Sequence, residues 1–395
     1  MTTSPQWNLN SRQRWLHGEF PDRPVDFDEQ TGLWRVFGHR EATKVFADTT
    51  TYSSNTSLAL GVESEFSEGN LVEMDPPAHG KLRRLASHAF TPKVVAGLEP
   101  RIRQITRQLL DEMDCRTTAD LVTDLAYPLP VTVIAELLGI PASDQTLFKK
   151  WVDAMTASTH EFSVAEVSGT QDEVMEHALE QMRYLQEYIL QHVVERRTSP
   201  RDDLITGLVQ AEVDGQRLSD REVATFANVL LGNGHITTTL LLSNTVLLLD
   251  NHPDALHRVL ADPAAGFPAA IEEALRYLTP APVQGRATTS EASLGDLRIP
   301  AGQLVQIWVG AANRDPSVFP DPHTFDITRD PNPHLAFGRG IHFCLGAPLA
   351  RLEAKVAMTE LYQRFPGIRT TPEAPPVFQS SPYVTGLSAL PVLLN

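Results

Sequence analysis

Phe337-Gly-Arg-Gly-Ile-His-Phe-Cys344-Leu-Gly346 is the stretch on which the reading of the fold turns. Three glycines in ten residues let the backbone turn tightly and come close to something flat and bulky. Cys344 stands just before a helical pattern that opens near Ala347. Free N–H groups and the positive end of the helix dipole there favour a thiolate. One thiolate, with no second cysteine or histidine cluster beside it, cannot complete a zinc tetrahedron. It can serve as the single axial ligand of a haem iron, the arrangement that favours O–O cleavage. An inert buried cysteine would leave the combination of Phe337, Gly338, Gly340, His342, Cys344 and Gly346 to chance.

Composition agrees with a large intracellular protein. The chain has 395 residues, 42% of them hydrophobic, enough to bury a sizeable core. Forty-nine Asp and Glu against 33 Lys and Arg give a formal charge of −16, which argues against nucleic acid as a main partner. Cys115 and Cys344 cannot supply a disulfide framework, and this points to the cytoplasm. The start, Met1-Thr-Thr-Ser-Pro-Gln-Trp-Asn8, lacks the basic opening and apolar stretch of a signal peptide. The most apolar stretch, Val229 to Leu249, is broken by Gly232, Asn233, His235 and four threonines, so no membrane span is expected.

That stretch reads as a buried helix with polar groups on one face. Ser219-Asp-Arg-Glu222 resembles a capping box, and the helix it opens runs to about Asp250. At roughly thirty residues it would cross the whole molecule. From Lys81 to Asp254 the pattern is mostly helical. Ile102, Ile105, Leu109 and Leu110 recur at helical spacing, and Val174, Leu179, Met182, Leu185 and Leu190 partly repeat it. A short helix is expected from about Pro268 to Tyr277, then strands at 284–289, 292–299 and 303–309. An irregular stretch, 311–339, precedes a last helix from about Ala347 to Phe365. The class is mainly α with small β-sheets. No linker divides it, so residues 1–395 are read as one domain.

In this setting the cysteine loop resembles that of soluble bacterial cytochrome P-450s, which are haem-thiolate monooxygenases. The resemblance runs in register from about Leu33 to the C-terminus. It implies their fold, with a long central helix over a haem b whose iron takes the Cys344 thiolate, held in a loop that includes Phe337 and Gly346. Asp75-Pro-Pro-Ala-His79-Gly-Lys-Leu-Arg83 matches the family's His-x-x-x-Arg element. Residues four apart share a helix face, so His79 and Arg83 can converge on one anion, and a haem has two propionates to hold. Arg286, in Gln284-Gly-Arg-Ala-Thr288, matches a strand arginine that reaches a propionate from the opposite side, and His342 matches another propionate partner. Glu273-Ala-Leu-Arg276 matches a buried network behind the haem. Its third member is often an arginine in Pro-x-Arg-Phe; here Pro322-His-Thr-Phe325 offers Thr324, which cannot replace a guanidinium.

On the long helix, Gly232-Asn-Gly-His-Ile-Thr-Thr-Thr239 is a poor helix former. Threonine hydroxyls can bond back to carbonyls four residues earlier and weaken or kink it. The resemblance puts this stretch over the haem, with Gly234 against the O2 pocket and Thr237 as the hydroxyl that helps deliver a proton. The acid usual beside that threonine is replaced by Ile236, which can neither accept nor relay a proton. The proton is then expected from ordered water, Asn233, His235 or the substrate, while a buried apolar Ile236 excludes stray water. By register, a small lipophilic substrate would lie against 58–72, Val229, Gly232, Asn233, Pro282, Val283 and Val384.

The implied activity is hydroxylation or epoxidation of such a molecule with O2, in secondary-metabolite biosynthesis. Electrons would come from a ferredoxin and ferredoxin reductase, docking near Arg339 and a basic cluster of Lys81, Arg84, Arg101 and Arg103. Two other classes share the fold. A haem protein without oxygenase turnover is the reading that Ile236 favours. A peroxide-driven peroxygenase is the other; such enzymes tend to carry Arg-Pro where this chain has Ile236-Thr237.

Overall fold

A helix of 32 residues, Asp220–Asn251, organises the protein. Its start is the expected capping box: Ser219 Oγ accepts from the Glu222 N–H at 3.0 Å, and the Glu222 carboxylate accepts from the Ser219 N–H at 2.7 Å. From Thr238 to Leu249 every residue is buried, and the polar ones, Thr238, Thr239, Ser243, Asn244 and Thr245, all donate to backbone carbonyls. The computed structural model describes residues 7–61, 67–87, 90–144, 169–213 and 215–394.

Among the described residues the seven longest helices are α1 (Ala78–Ser87), α2 (Glu99–Met113), α3 (Pro128–Leu138), α4 (Gly169–Thr198), α5 (the 32-residue helix), α6 (Pro263–Tyr277) and α7 (Ala347–Arg364). Helices α3, α4, α6 and α7 all pack on α5. On α2 the expected stripe is present, with Ile102, Ile105 and Leu110 buried and Leu109 partly so. On α4 the buried face is Leu185, Ile189 and Val193, four apart; Leu179, Met182 and Leu190 lie at its edge, and the side chain of Val174 falls outside the described set. Helix α6 begins five residues before the expected Pro268. Asp262 caps it by accepting from the Ala265 N–H, and Pro268 is tolerated within its first half, where its ring forfeits one backbone bond.

A five-stranded sheet stands beside the helices: β1 (Val25–Asp28), β2 (Leu33–Val36), β3 (Tyr52–Ser53), β4 (Val283–Thr288) and β5 (Leu304–Trp308), in the order β1-β2-β5-β4-β3. Only the β2–β5 pairing is parallel. Strands β4 and β5 fall where the sequence puts them, and 292–299 folds as a separate hairpin. The result is a mainly helical protein with small sheets, as expected. Among the described residues no helix is long and apolar enough to cross a membrane.

Candidate active site

The loop before α7 closes on itself, with the Cys344 N–H donating to Phe337 O at 2.9 Å. Gly338 and Gly340 have φ of 67° and 73°, a left-handed backbone that glycine adopts freely. A Cβ on Gly340 would also sit 2.7 Å from the carbonyl oxygen of Phe46. Gly346 is the residue at the mouth of α7, and a Cβ there would lie 4.0 Å from the Cys344 sulfur. Arg351, one turn into α7, lies over the Phe337 ring at 4.5 Å and grips Glu272 of α6 at 2.6 and 2.8 Å. His334 joins the same carboxylate at 3.0 Å. Burial alone would raise the Glu272 acid, but Arg351 and His334 hold it at about 2. The loop is therefore clamped to α6 from both ends.

Burial pushes the Cys344 thiol up from its usual value. The N–H groups of Gly346 and Ala347 and the charges of Arg83 and Arg351 pull it the other way and are outweighed. The helix-terminus forces read from sequence are present, but burial wins. A metal ion bound here would favour the thiolate. Among the described residues no group of three or more His, Cys, Asp or Glu could hold a metal ion. A metal at Cys344 must bring its other ligands with it, as a haem iron does.

Four basic side chains meet beside this loop. Arg83 on α1 donates to Phe343 O at 2.6 Å, and one turn earlier the His79 ring lies 4.2 Å from that of His342. His342 Nε2 is 2.9 Å from the Ser54 hydroxyl, just past β3. Arg286 is buried in β4, donating to Gly285 O at 2.6 Å and lying 5.4 Å over the Phe46 ring. Burial lowers the proton affinity of all four, and neighbouring members of the cluster lower that of the two histidines further. His342 is pushed down to about 3 by burial, then by His79, Arg286 and Arg83. Arg286 falls to about 10 through burial, and only Asp75 opposes this. His79 is lowered by burial and Arg83, Arg83 by burial. Asp75 is itself held by the Ser53 hydroxyl and by the Ser54 N–H at 2.9 Å. His79 Nε2 is buried without a hydrogen-bond partner.

Such a cluster is short of negative charge. Two carboxylates placed among these four groups would satisfy the orphaned nitrogen and raise the lowered proton affinities. The residues present thus fit a haem, with sulfur for its iron and cations for its propionates. Ser54, Phe46, Glu272 and Arg351 had no signal in the sequence reading, because each reaches the site only through tertiary contact.

Behind the loop, Arg276 and Glu273 are fully buried and paired at 2.6 and 2.8 Å. Arg276 also donates to the carbonyls of Asn313, Pro322 and Thr324 at 3.1, 2.9 and 2.9 Å. Thr324 thus joins through its backbone. The missing guanidinium is supplied by Arg329, 3.6 Å from Glu273, and Asn332 donates to the same carboxylate at 3.0 Å.

Apart from its ends, α5 is open only at its middle. Val229, Leu230, Gly232, Asn233, Gly234, Ile236 and Thr237 retain surface between fully buried flanks. Thr237, Thr238 and Thr239 donate to the carbonyls of Asn233, Gly234 and His235, each at 2.9 Å, as expected. The helix nevertheless continues without interruption. A Cβ on Gly232 would meet nothing within 4 Å, whereas on Gly234 it would meet Ile134 of α3 at 3.7 Å. A Cβ would thus point to open space at Gly232 and toward α3 at Gly234. Asn244 of α5 donates to Leu278 O at 3.1 Å and to Thr385 O at 3.0 Å, and the Thr385 N–H donates to Pro280 O at 3.0 Å. This tie brings the segments of Pro282, Val283 and Val384 to the side of α5. Val283 and Val384 keep some surface, but Pro282 is buried, with its Cβ close to Gly310.

A thiol just before a helix, beside two arginines and two histidines and in a helical body threaded by one long helix, is the arrangement a haem-thiolate protein needs. The sequence pattern of one family, cytochrome P450, matches residues 7–262 and 267–387. Cyclomarin C epoxidase of Salinispora arenicola is 40% identical over 99% of this chain and 98% of its own. Erythromycin C-12 hydroxylase of Saccharopolyspora erythraea is 41% identical over 96% and 93%. The crystal structure of HmtT, involved in himastatin biosynthesis, superposes with a TM-score of 0.90 at 48% identity, covering 99% of each chain. The chain belongs to the cytochrome P450 family and is a haem-thiolate monooxygenase of the secondary-metabolism type. Relatives that hydroxylate and epoxidise favour this over a haem protein without turnover.

Proposed function

We propose that Cys344 is the iron ligand, that His79, Arg83, Arg286 and His342 hold the two propionates, and that Thr237 serves the oxygen side. The observation that carries this reading is the gathering of two arginines and two histidines, His79 and Arg286 buried and Arg83 and His342 half-buried, with no carboxylate among them except Asp75, beside the thiol of Cys344. The haem, when bound, supplies O2 binding and O–O cleavage. The protein supplies orientation, exclusion of water and a proton. Thr237 Oγ1 donates to Asn233 O, which leaves its lone pairs free to accept from water.

The substrate is a lipophilic secondary metabolite, hydroxylated or epoxidised. Support comes from the relatives' names and from the open, largely apolar face of Val229, Gly232 and Asn233 with Val283 and Val384. Pro282 acts as a wall behind this face. Electrons come from a ferredoxin with its reductase. Of the basic residues expected to greet it, Arg101 pairs with Glu136, and Arg103 with Glu99 and Glu360. The proposed docking surface comprises Lys81, Arg84 and Arg339, the last two exposed. The protein works in the cytoplasm as one domain, in keeping with its two free cysteines and a core that runs from Leu71 to Leu394.

The test is turnover of the haem-loaded protein with surrogate ferredoxin, reductase and NADPH against a panel of bacterial peptides and polyketides. Candidate substrates are chosen first by their ability to shift the haem to high spin. Product formed only with the electron donors supports this reading; product formed equally well with peroxide alone replaces it with a peroxygenase.

A further inference from the structure

A cavity of about 330 Å³ opens against α5. Its floor is His235 and Thr239, both buried, and its mouth includes Ser388, which is exposed. Tyr127 and Gln379 form walls, and Ile236 borders it. The Gln379 side-chain oxygen is buried with no hydrogen-bond partner. The lining is mixed, with Thr123, His235, Thr239, Gln379 and Ser388 among apolar Val122, Leu240 and Leu387. A buried acceptor beside so roomy a space calls for water, and at ~30 Å³ each the space holds on the order of ten molecules.

Successive helical residues point about 100° apart. His235 and Thr239 face the cavity, Thr237 faces nearly the opposite way, and Ile236 stands between them. We propose that this cavity is a hydrated proton reservoir and that Ile236 is the gate between it and Thr237. The inference rests on the reading of Thr237 as the hydroxyl on the oxygen side.

The chemistry is a proton relay through water. A proton entering from bulk solvent passes along hydrogen-bonded water to Thr237 Oγ1 as the hydroxyl's own proton moves on, so the threonine ends neutral. No other reactant is needed. An apolar gate suits a chain without the family's acid, because it limits how much water follows the proton. Uncontrolled water at the reacting centre diverts the reaction to peroxide. The expectation that Ile236 is buried is corrected here, since it is half-buried and the cavity it borders reaches solvent.

The test is crystallography and optical spectroscopy of the haem-loaded wild type, Ile236→Ala, and Ile236→Ala with Ser388→Trp to plug the mouth. The wild type should hold ordered water bonded to the Gln379 oxygen, stopping at Ile236. In Ile236→Ala the water should continue to Thr237 Oγ1, and the spectrum should shift toward low spin. The Ser388→Trp plug should reverse that shift. A dry cavity in the wild type, or an Ile236→Ala protein with no water at Thr237 and an unchanged spectrum, would overturn the proposal. The water column can also be read in haem-free crystals, so its failure is separable from failure of the haem assignment.

Discussion

The rings of His79 and His342 lie 4.2 Å apart, centroid to centroid, with Arg83 and Arg286 close enough to lower the proton affinity of His342. Nothing in a folded chain gains from gathering four bases this way unless an anion joins them. The double variant Arg83→Ala, Arg286→Ala should therefore release haem during gel filtration. Each charge-assisted bond lost costs about 1.5–3 kcal/mol of haem binding. The haem-free protein should be no less stable for the change, because it sheds a buried, poorly paired cation. Normal haem retention in the double variant would sink the propionate assignment.

Cys344→Ser should abolish the red-shifted Soret band that thiolate ligation gives the reduced carbonyl complex. Cys115→Ser should leave it untouched, since Cys115 is exposed and lies outside the loop. A surviving band in Cys344→Ser would mean that another residue binds the iron.

The buried pair of Glu273 and Arg276 should be costly to break from one side. Arg276→Ala strands a buried carboxylate and leaves three carbonyls without their donor, so a loss of about 3–5 kcal/mol is expected in urea unfolding. Arg329→Ala should cost less, about 1–2 kcal/mol, because Glu273 keeps Arg276, Asn332 and the Asp326 N–H. Equal losses would show that Arg329 is as much a member as Arg276.

Arg329 also marks the limit of what the sequence discloses. The loop at Cys344, the capping box at Ser219 and the long helix were legible because each is written in neighbouring residues: glycine spacing, a cap, a run of apolar side chains. Arg329 reaches Glu273 only through an irregular stretch whose path has no periodicity, and Thr324 contributes a carbonyl that any residue would offer. Strands β1 to β3 escaped for a related reason. They have two to four residues and no clean alternation, and β2 is paired with β5 from the far end of the chain. The cavity beside Ile236 joins α5 to 122–127 and 379–388, three segments that only the fold brings together.

Glu353, on α7, is buried, and one of its carboxyl oxygens has no hydrogen-bond partner. Burial raises its acid from 4.5 to about 8. Between these values the folded state keeps a proton that the unfolded chain has released, so stability falls as pH rises. The slope is at most about 1.4 kcal/mol per pH unit. Below the lower value the contribution is fully present, and above the upper one it is gone. Glu353→Gln, a neutral isostere, should flatten this decline in urea unfolding across the same interval. An unchanged slope would mean that Glu353 is already ionised in the folded protein.

Thr237 and Thr238 provide an internal comparison for the oxygen side. Each donates its hydroxyl to the carbonyl four residues back at 2.9 Å, so each does the same to the helix. They differ in where they face: Thr238 is buried, whereas Thr237 lies on the open strip with Asn233 and Ile236. Thr237→Ala and Thr238→Ala should therefore change unfolding stability by similar small amounts. Only Thr237→Ala should lower product and raise peroxide per electron pair consumed, because only there is a hydroxyl lost that can hand on a proton. Thr237→Ser keeps the hydroxyl and should restore most of the coupling. If both alanine variants uncouple alike, the threonines act by shaping the helix, and the proton comes from the substrate or from water alone.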